Sequence, residues 1–244
     1  MSAPTIILFR RPQKEDPFEK VFVRAGWNVE SIPVLAFEYQ NQDKLEAALN
    51  KPDDYAGIIV TSPRAGDLLG SVFQASDPVC KSWQSKPVIC IGKRTAESII
   101  ACKHVPHISD RADSSAVAEK VVVFAEKRPW IFICGNLRRD ELPEALSQAD
   151  VAFEELVVYK TLPATSLNLT QFDKPQWVVF FSPSGVKAVS DHWPDNWQHT
   201  QSAAIGNTTA NAMAEMGWSV GAIAERPEPQ ALLEAIQQKM DRVS

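Results

Sequence analysis

The chain has 244 residues, 45% of them apolar and 23% charged, a composition that excludes a disordered or fibrous protein and suits one large or two modest folded domains. A formal net charge of −5 gives no general basis for nucleic-acid binding, so any positive site must be local. No apolar run approaches the roughly 20 residues of a membrane span, and the four cysteines show no CxxC spacing.

Thr5-Ile6-Ile7-Leu8-Phe9 is a short continuous apolar run, the form of a parallel strand buried on both faces, and Arg10-Arg11-Pro12 ends it. A helix is predicted from about Asp16 to Ala25, with Phe18, Val21 and Phe22 on one face and Gly26 as its stop, followed by a strand from Asn28 to Pro33. Val34 to Tyr39 continues in extended character, and a polar helix follows from about Gln42 to Asn50. Ala56 to Thr61 reads as a strand, and Pro63 suits the first turn of the next helix, where its missing N–H would be unbonded anyway. Residues 71–86 are poorly patterned and predict loop and short helix.

Val88 to Ile91 is a strand, Lys93 to Lys103 a helix, and Val105 to Ile108 a short strand. Asp113-Ser114-Ser115 suits a helix cap, with the helix reaching about Lys127. Trp130 to Cys134 is a strand, Asp140 to Gln148 a helix, and Val151 to Val158 a strand running on towards Thr161. Then come strand Trp177–Phe181, helix Pro183–Asp191, strand Ala203–Ile205, helix Thr208–Met216, strand Ser219–Ile223 and a terminal helix from Pro229 to about Asp241. About ten strands alternating with helices imply α/β architecture with parallel sheets covered on both faces.

The chain also repeats itself. Ile59-Val60-Thr61-Ser62-Pro63 is matched by Val179-Phe180-Phe181-Ser182-Pro183, and Ile91-Gly92-Lys93-Arg94-Thr95-Ala96 by Ile205-Gly206-Asn207-Thr208-Thr209-Ala210. The unit opening at Phe132 resembles the one opening at Leu8, so three unit types follow one another twice in the same order. Either two contiguous domains or a discontinuous domain enclosing a central one fits that order.

Ligands of such folds bind at the carboxyl edges of the strands, beside the N-termini of the following helices. The residues there are Arg10, Arg11, Thr61, Ser62, Arg64, Gly92, Lys93, Arg94, Thr95, Gly135, Asn136, Arg138 and Arg139 in the earlier units. The later ones supply Ser182, Ser184, Gly185, Gly206, Asn207, Thr208 and Thr209. Hydroxyls, glycines and cations without Asp or Glu suggest a polyanionic small molecule between two sheet edges, although each segment alone is also a plain cap. Tyr159, with Lys160, lies at the second crossing between the halves and could face a cleft as a proton donor. His104 and His107 have no acidic or Cys partner at ligand spacing and are read as surface histidines, so no metal is expected. The dinucleotide and P-loop glycine patterns are absent, as is a G-x-S-x-G elbow. Cys90 and Cys134 lie inside apolar runs as buried reduced thiols, and with no signal-peptide pattern before Thr5 a cytoplasmic protein is expected.

Together and in order, several segments resemble the uroporphyrinogen-III synthase family over nearly the whole chain. The carriers are Tyr55 to Ala65, Cys134 to Pro143, Val158-Tyr159-Lys160-Thr161, Phe181 to Gly185, Ala204 to Ala210, and Glu225 to Leu232. The resemblance implies two flavodoxin-like parallel-sheet domains joined by a two-stranded β linker, one of them discontinuous: 1–33 with 163–244, 40–155, and linkers 34–39 and 156–162. It implies a lyase that cyclises hydroxymethylbilane, a polycarboxylate linear tetrapyrrole, with inversion of the last ring through a spiro intermediate, needing no cofactor. Tyr159 would be the acid for the leaving hydroxyl, since a phenol is protonated at neutral pH and can donate. Thr95, Ser62 and Thr209 would anchor carboxylates, and Lys93-Arg94 against Asn207-Thr208 assigns more ligand contact to the charged copy. A monomer is expected, with transient contact to hydroxymethylbilane synthase and no nucleic-acid or membrane partner. The competing readings are a hinged binding protein for an anionic metabolite, without catalysis, and a degenerate regulatory module.

Overall fold

The structure, a computed structural model, describes residues 3–242 apart from 110, 112 and 125. In chain order the elements are β1 (Thr5–Phe9), α1 (Pro17–Arg24), β2 (Asn28–Ser31), β3 (Leu35–Tyr39), α2 (Gln42–Leu49), β4 (Ile58–Val60), α3 (Pro63–Ala75), α4 (Asp77–Trp83), β5 (Val88–Cys90) and α5 (Gly92–Ala101). They continue with β6 (His107–Ile108), α6 (Ser114–Val123), β7 (Trp130–Gly135), α7 (Glu141–Gln148), β8 (Phe153–Pro163), β9 (Trp177–Phe180), α8 (Pro183–Ser190), β10 (Gln201–Ala204), α9 (Asn207–Glu215), β11 (Ala222–Ile223) and α10 (Pro229–Asp241). Two compact units result, one of residues 1–36 and 162–244, the other of residues 37–161. The chain passes between them twice, within β3 and β8, which are neighbours in one sheet.

The first unit holds a five-stranded sheet of order β2-β1-β9-β10-β11, parallel throughout. The other sheet runs β3-β8-β7-β4-β5-β6, and from β8 to β6 it too is parallel. Counted from the β-α-β unit of each domain, both follow the flavodoxin order, with the second entered at a different strand. The duplication in the sequence is thus one sheet plan used twice, with different connections.

Burial explains the continuous apolar strands. Ile7 and Phe9 belong to the cluster on one face of the first sheet and Ile6 and Leu8 to the cluster on the other. In the second unit Ile58 and Val60 face one core and Ile59 the opposite one. Strands covered on both faces have no polar side to show in sequence.

Several predicted elements change extent. Residues 71–86 are mostly helix, since α3 continues to Ala75 and α4 follows at Asp77. The reason is that Gly66 and Gly70, weak helix formers by themselves, give α3 a side on which α5 packs closely: a Cβ on Gly66 would lie 2.3 Å from the Thr95 carbonyl oxygen. The strand predicted over Val105 to Ile108 is only His107–Ile108, and that over Ser219 to Ile223 only Ala222–Ile223. The helix predicted to reach Lys127 ends at Val123, residue 125 lying outside the described residues, as do the chain ends 1–2 and 243–244 of the predicted domains.

His104, predicted to be on the surface, is 3% exposed instead. Its ring packs 5.7 Å from that of Phe73, and its buried Nδ1 has no hydrogen-bond partner among the described residues. Burial, with His107 nearby as a second cause, pushes its pKa below the ordinary histidine value. Above pH ~6.5 the ring is neutral both folded and unfolded. As pH falls through that value the unfolded chain takes up a proton that the folded one resists, so stability is lost. The urea midpoint is expected to drop between pH 7.5 and pH 5.5, and His104→Leu should flatten that drop.

Candidate active site

In a sheet of this order the crevice lies at the switch point, where the connections leave to opposite sides. In the second unit that point is between β7 and β4, where Gly135-Asn136 and Thr61-Ser62-Arg64 emerge. The β7–β8 ladder carries an irregularity there: Cys134 pairs with Val157 but Gly135 with Tyr159. Such a bulge re-aims a side chain, and Tyr159 is laid directly over Gly135. A Cβ on Gly135 would stand 2.3 Å from Tyr159 Cζ and 2.7 Å from its hydroxyl oxygen. Two hydrogen bonds fasten the arrangement, from the Asn136 N–H to the Tyr159 carbonyl (3.1 Å) and from the Thr161 N–H to Asn136 Oδ1 (2.8 Å).

Phe37 completes the cluster. Its ring lies 6.4 Å from that of Tyr159, edge to face, and the Arg64 guanidinium sits 3.2 Å from its centroid. Tyr159, Gly135, Asn136, Arg64 and Phe37 are therefore brought together, half-buried or better except for Asn136. Sequence reasoning placed Phe37 only in a connector. Its signal was an aromatic in a short extended run, which alone says nothing of Arg64.

The helix starts divide into two kinds. Ser62 and Ser182 cap α3 and α8, Ser62 Oγ accepting from the Ala65 N–H (3.3 Å) and Ser182 Oγ from the Gly185 N–H (3.1 Å), with Ser184 Oγ 3.1 Å from Ser182 Oγ. Proline at the first position of each removes another donor. The starts of α5 and α9, at Gly92 and Asn207, have no side-chain cap hydrogen bond among the described residues. Their open N–H groups and helix dipoles suit carboxylates. Gly92 takes a left-handed φ of +73° there, which favours glycine. Thr95 and Thr209 are each 3% exposed and form the packed side of these first turns, while Lys93, Arg94, Asn207 and Thr208 form the exposed side. Thr61 is half-buried between β4 and its following helix.

The expectation of strand ends without acids needs correction. Carboxylates from neighbouring segments reach the cations: Asp16 pairs with Arg10 (3.1 Å), Glu97 and Asp67 with Arg94 (2.7 and 3.9 Å), and Asp140 and Glu155 with Arg138. Hydrogen bonds to Asp140, then Glu155, raise the Arg138 pKa further above its ordinary value. Arg11, Lys93, Arg139 and Lys160 are exposed and form no ion pair among the described residues. These four therefore keep exposed charges that no described acid engages.

Residues 16–234 match the family model described as uroporphyrinogen-III synthase HemD. The uroporphyrinogen-III synthase of Schizosaccharomyces pombe is 25% identical over 245 residues, covering 95% of each chain, and that of Saccharomyces cerevisiae 26% identical, covering 84% of this chain and 85% of its own. Among solved structures, the uroporphyrinogen-III synthetase of Helicobacter pylori superposes with a TM-score of 0.68 at 21% identity, covering 96% of this chain and 99% of that one. A mutant uroporphyrinogen III synthase of Thermus thermophilus gives 0.64 at 15% identity, covering 98% and 100%. The structures establish a shared fold, and the family match over most of the chain does not favour a non-catalytic binding protein. This chain belongs to the uroporphyrinogen-III synthase family, whose members are lyases of porphyrin biosynthesis.

Proposed function

We propose that this chain closes hydroxymethylbilane into the ring-inverted uroporphyrinogen isomer, with Tyr159 as the group that assists loss of the hydroxyl. The observation carrying this reading is the Tyr159 phenol held over Gly135 at a sheet switch point, beside the Arg64–Phe37 stack. The phenol donates a hydrogen bond to the departing hydroxyl, the carbon–oxygen bond breaks, and water leaves with the proton it has gained. The last pyrrole attacks the resulting azafulvene through its substituted α-carbon, giving the spiro intermediate. Fragmentation and closure in the inverted sense follow, and the ring proton lost at closure returns to the Tyr159 oxygen.

Holding a floppy polycarboxylate in the folded geometry is the larger part of the task, and orientation of this kind is worth several orders of magnitude in rate. The open starts of α5 and α9, with Lys93, Arg139 and Lys160, are the proposed carboxylate anchors. Ser62, Ser182, Ser184 and Gly185 build the neighbouring turns, and Arg94 and Arg138 bind more weakly because acids already engage them. We place the protein in the cytoplasm as a monomer that receives its substrate by transient contact with hydroxymethylbilane synthase. Four free cysteines, three of them buried, are compatible with a reducing compartment, and no described helix is long and apolar enough to cross a membrane.

Coupling the protein to hydroxymethylbilane synthase and separating the isomers by chromatography tests the reaction. Spontaneous closure gives the unrotated type I isomer, so type III reports catalysis. Tyr159→Phe, which deletes one hydrogen bond, is expected to slow type III formation about tenfold. An unchanged rate would remove Tyr159 from the chemistry. Only type I from the folded wild-type protein would remove the synthase reading altogether.

A second expected result isolates the anchors. Asn207 is the first residue of α9, where proline fits sterically and deletes one open N–H. Asn207→Pro should leave the thermal midpoint within a few degrees while raising KM several-fold. An unchanged KM would mean that this helix start meets no carboxylate.

A further inference from the structure

The two consecutive arginines after β1 have opposite fates. Arg10 is enclosed: Asp16 pairs with it, and its guanidinium lies 4.8 Å and 4.7 Å from the ring centroids of Phe18 and Phe181. That carboxylate also caps α1, accepting from the Phe18 N–H at 2.9 Å. Arg10 is thus a structural cation. Arg11 points elsewhere, is exposed, and lines a groove of about 430 Å³ contained wholly within the first unit.

The groove has the make-up of a site for an anion with an apolar body. Among the described residues Arg11 is its one charged lining residue, and no carboxylate lines it. Ser31, Asn168 and Gln171 add polar groups, while Leu35 and Phe172 add apolar surface. Ser31 stands at the end of β2, and its Oγ is buried with no hydrogen-bond partner among the described residues. A buried hydroxyl left unpaired is uncommon in a folded protein and points to a missing partner. The groove also sits at the carboxyl ends of β1 and β2, the edge at which sheets of this kind take ligands. Its volume is at the small end for ligand pockets, enough for one ring with its acid side chains and too little for an entire tetrapyrrole.

We propose that this groove is a subsite for one carboxylate-bearing pyrrole ring, with Arg11 taking an acid side chain, the Ser31 hydroxyl turning out of its buried position to donate to it, and Leu35 and Phe172 covering the ring. The ligand class rests on the synthase reading; the groove, its single cation and its unpaired hydroxyl do not. Arg11 therefore has a role that the strand-end pattern alone could not separate from that of Arg10.

The probe is a monopyrrole carrying one acetic and one propionic side chain, titrated into the intact ¹⁵N-labelled protein. Shifts are expected at Ser31 and across residues 164–172, including the side-chain amides of Asn168 and Gln171. Arg11→Gln should weaken that binding about tenfold and raise KM for hydroxymethylbilane by a similar factor with a smaller change in kcat. Ser31→Ala should weaken it several-fold, whereas Lys239→Gln, removing a charge from α10 of the same unit, should leave it unchanged. Shifts that fall elsewhere, or that are identical in wild type and Arg11→Gln, overturn the proposal. Normal type III turnover with no such binding overturns it while leaving the synthase reading intact. Arginine-dependent binding without turnover supports the groove and counts against the synthase reading.

Discussion

Gly135→Ala is expected to lower type III formation about a hundredfold while leaving the protein folded. The new Cβ would lie 2.3 Å from Tyr159 Cζ, 2.6 Å from Cε2 and 2.7 Å from the hydroxyl oxygen. Ordinary contact needs more than 3.4 Å, so the ring must move by about 1 Å, a misplacement that can cost on the order of 10²-fold in rate. The tyrosine lies on β8 and is half-buried, so it can yield without unfolding the unit. The expected loss exceeds that of Tyr159→Phe, because a displaced ring both misdirects the phenol and enters the space that the proposed mechanism gives to substrate. A double-mutant cycle supplies the decisive comparison. If collision with Tyr159 is the mechanism, Gly135→Ala should add almost nothing in a Tyr159→Ala background. Additive losses would mean that Gly135 matters for some other reason, such as close approach of the substrate to its backbone.

Gly66→Ala is expected to destabilise the second unit by about 2 kcal/mol, in the range found for overpacking a tight contact. Helix propensity alone predicts the opposite sign, since alanine improves on glycine by about 1 kcal/mol in a helix interior. Here the added carbon would meet the backbone of α5, with the Thr95 carbonyl oxygen at 2.3 Å and its carbon at 3.3 Å. Backbone cannot rotate away as a side-chain tip can, so one helix must shift against the other. Chemical denaturation should show a lower midpoint with an unchanged slope. A raised midpoint would mean that the two helices separate easily. A shift of α5 also moves its open start at Gly92, so Gly66→Ala should raise KM along with its effect on stability.

Much of this protein can be read from residue order because the relevant physics is local. Continuous apolar runs such as Ile58-Ile59-Val60 and Val178-Val179-Phe180 specify strands buried on two faces, and Ser-Pro after each specifies a capped helix start. The repeated order of three unit types carries the plan of two related sheets. Tyr159 could be singled out as a rare tyrosine at a crossing.

Other features depend on contacts between residues far apart in the chain, which the tertiary structure alone decided. Whether an arginine is available to a ligand depends on which acid reaches it: Asp16 holds Arg10, Glu155 holds Arg138, and Arg11 and Arg139 form no ion pair among the described residues. Gly66, within α3, and Gly135, at the end of β7, look alike as small residues, yet one admits a helix backbone and the other an aromatic ring. Phe37 finds Arg64 and Tyr159 only because β3 lies beside β8 in the sheet. His104 is buried because the loop after α5 folds its ring against Phe73 on α3. Propensity and periodicity act over a few neighbouring residues. Pairing of charges, glycine contacts and aromatic stacking act across strands and helices, and only the packed sheets and helices bring those partners within range.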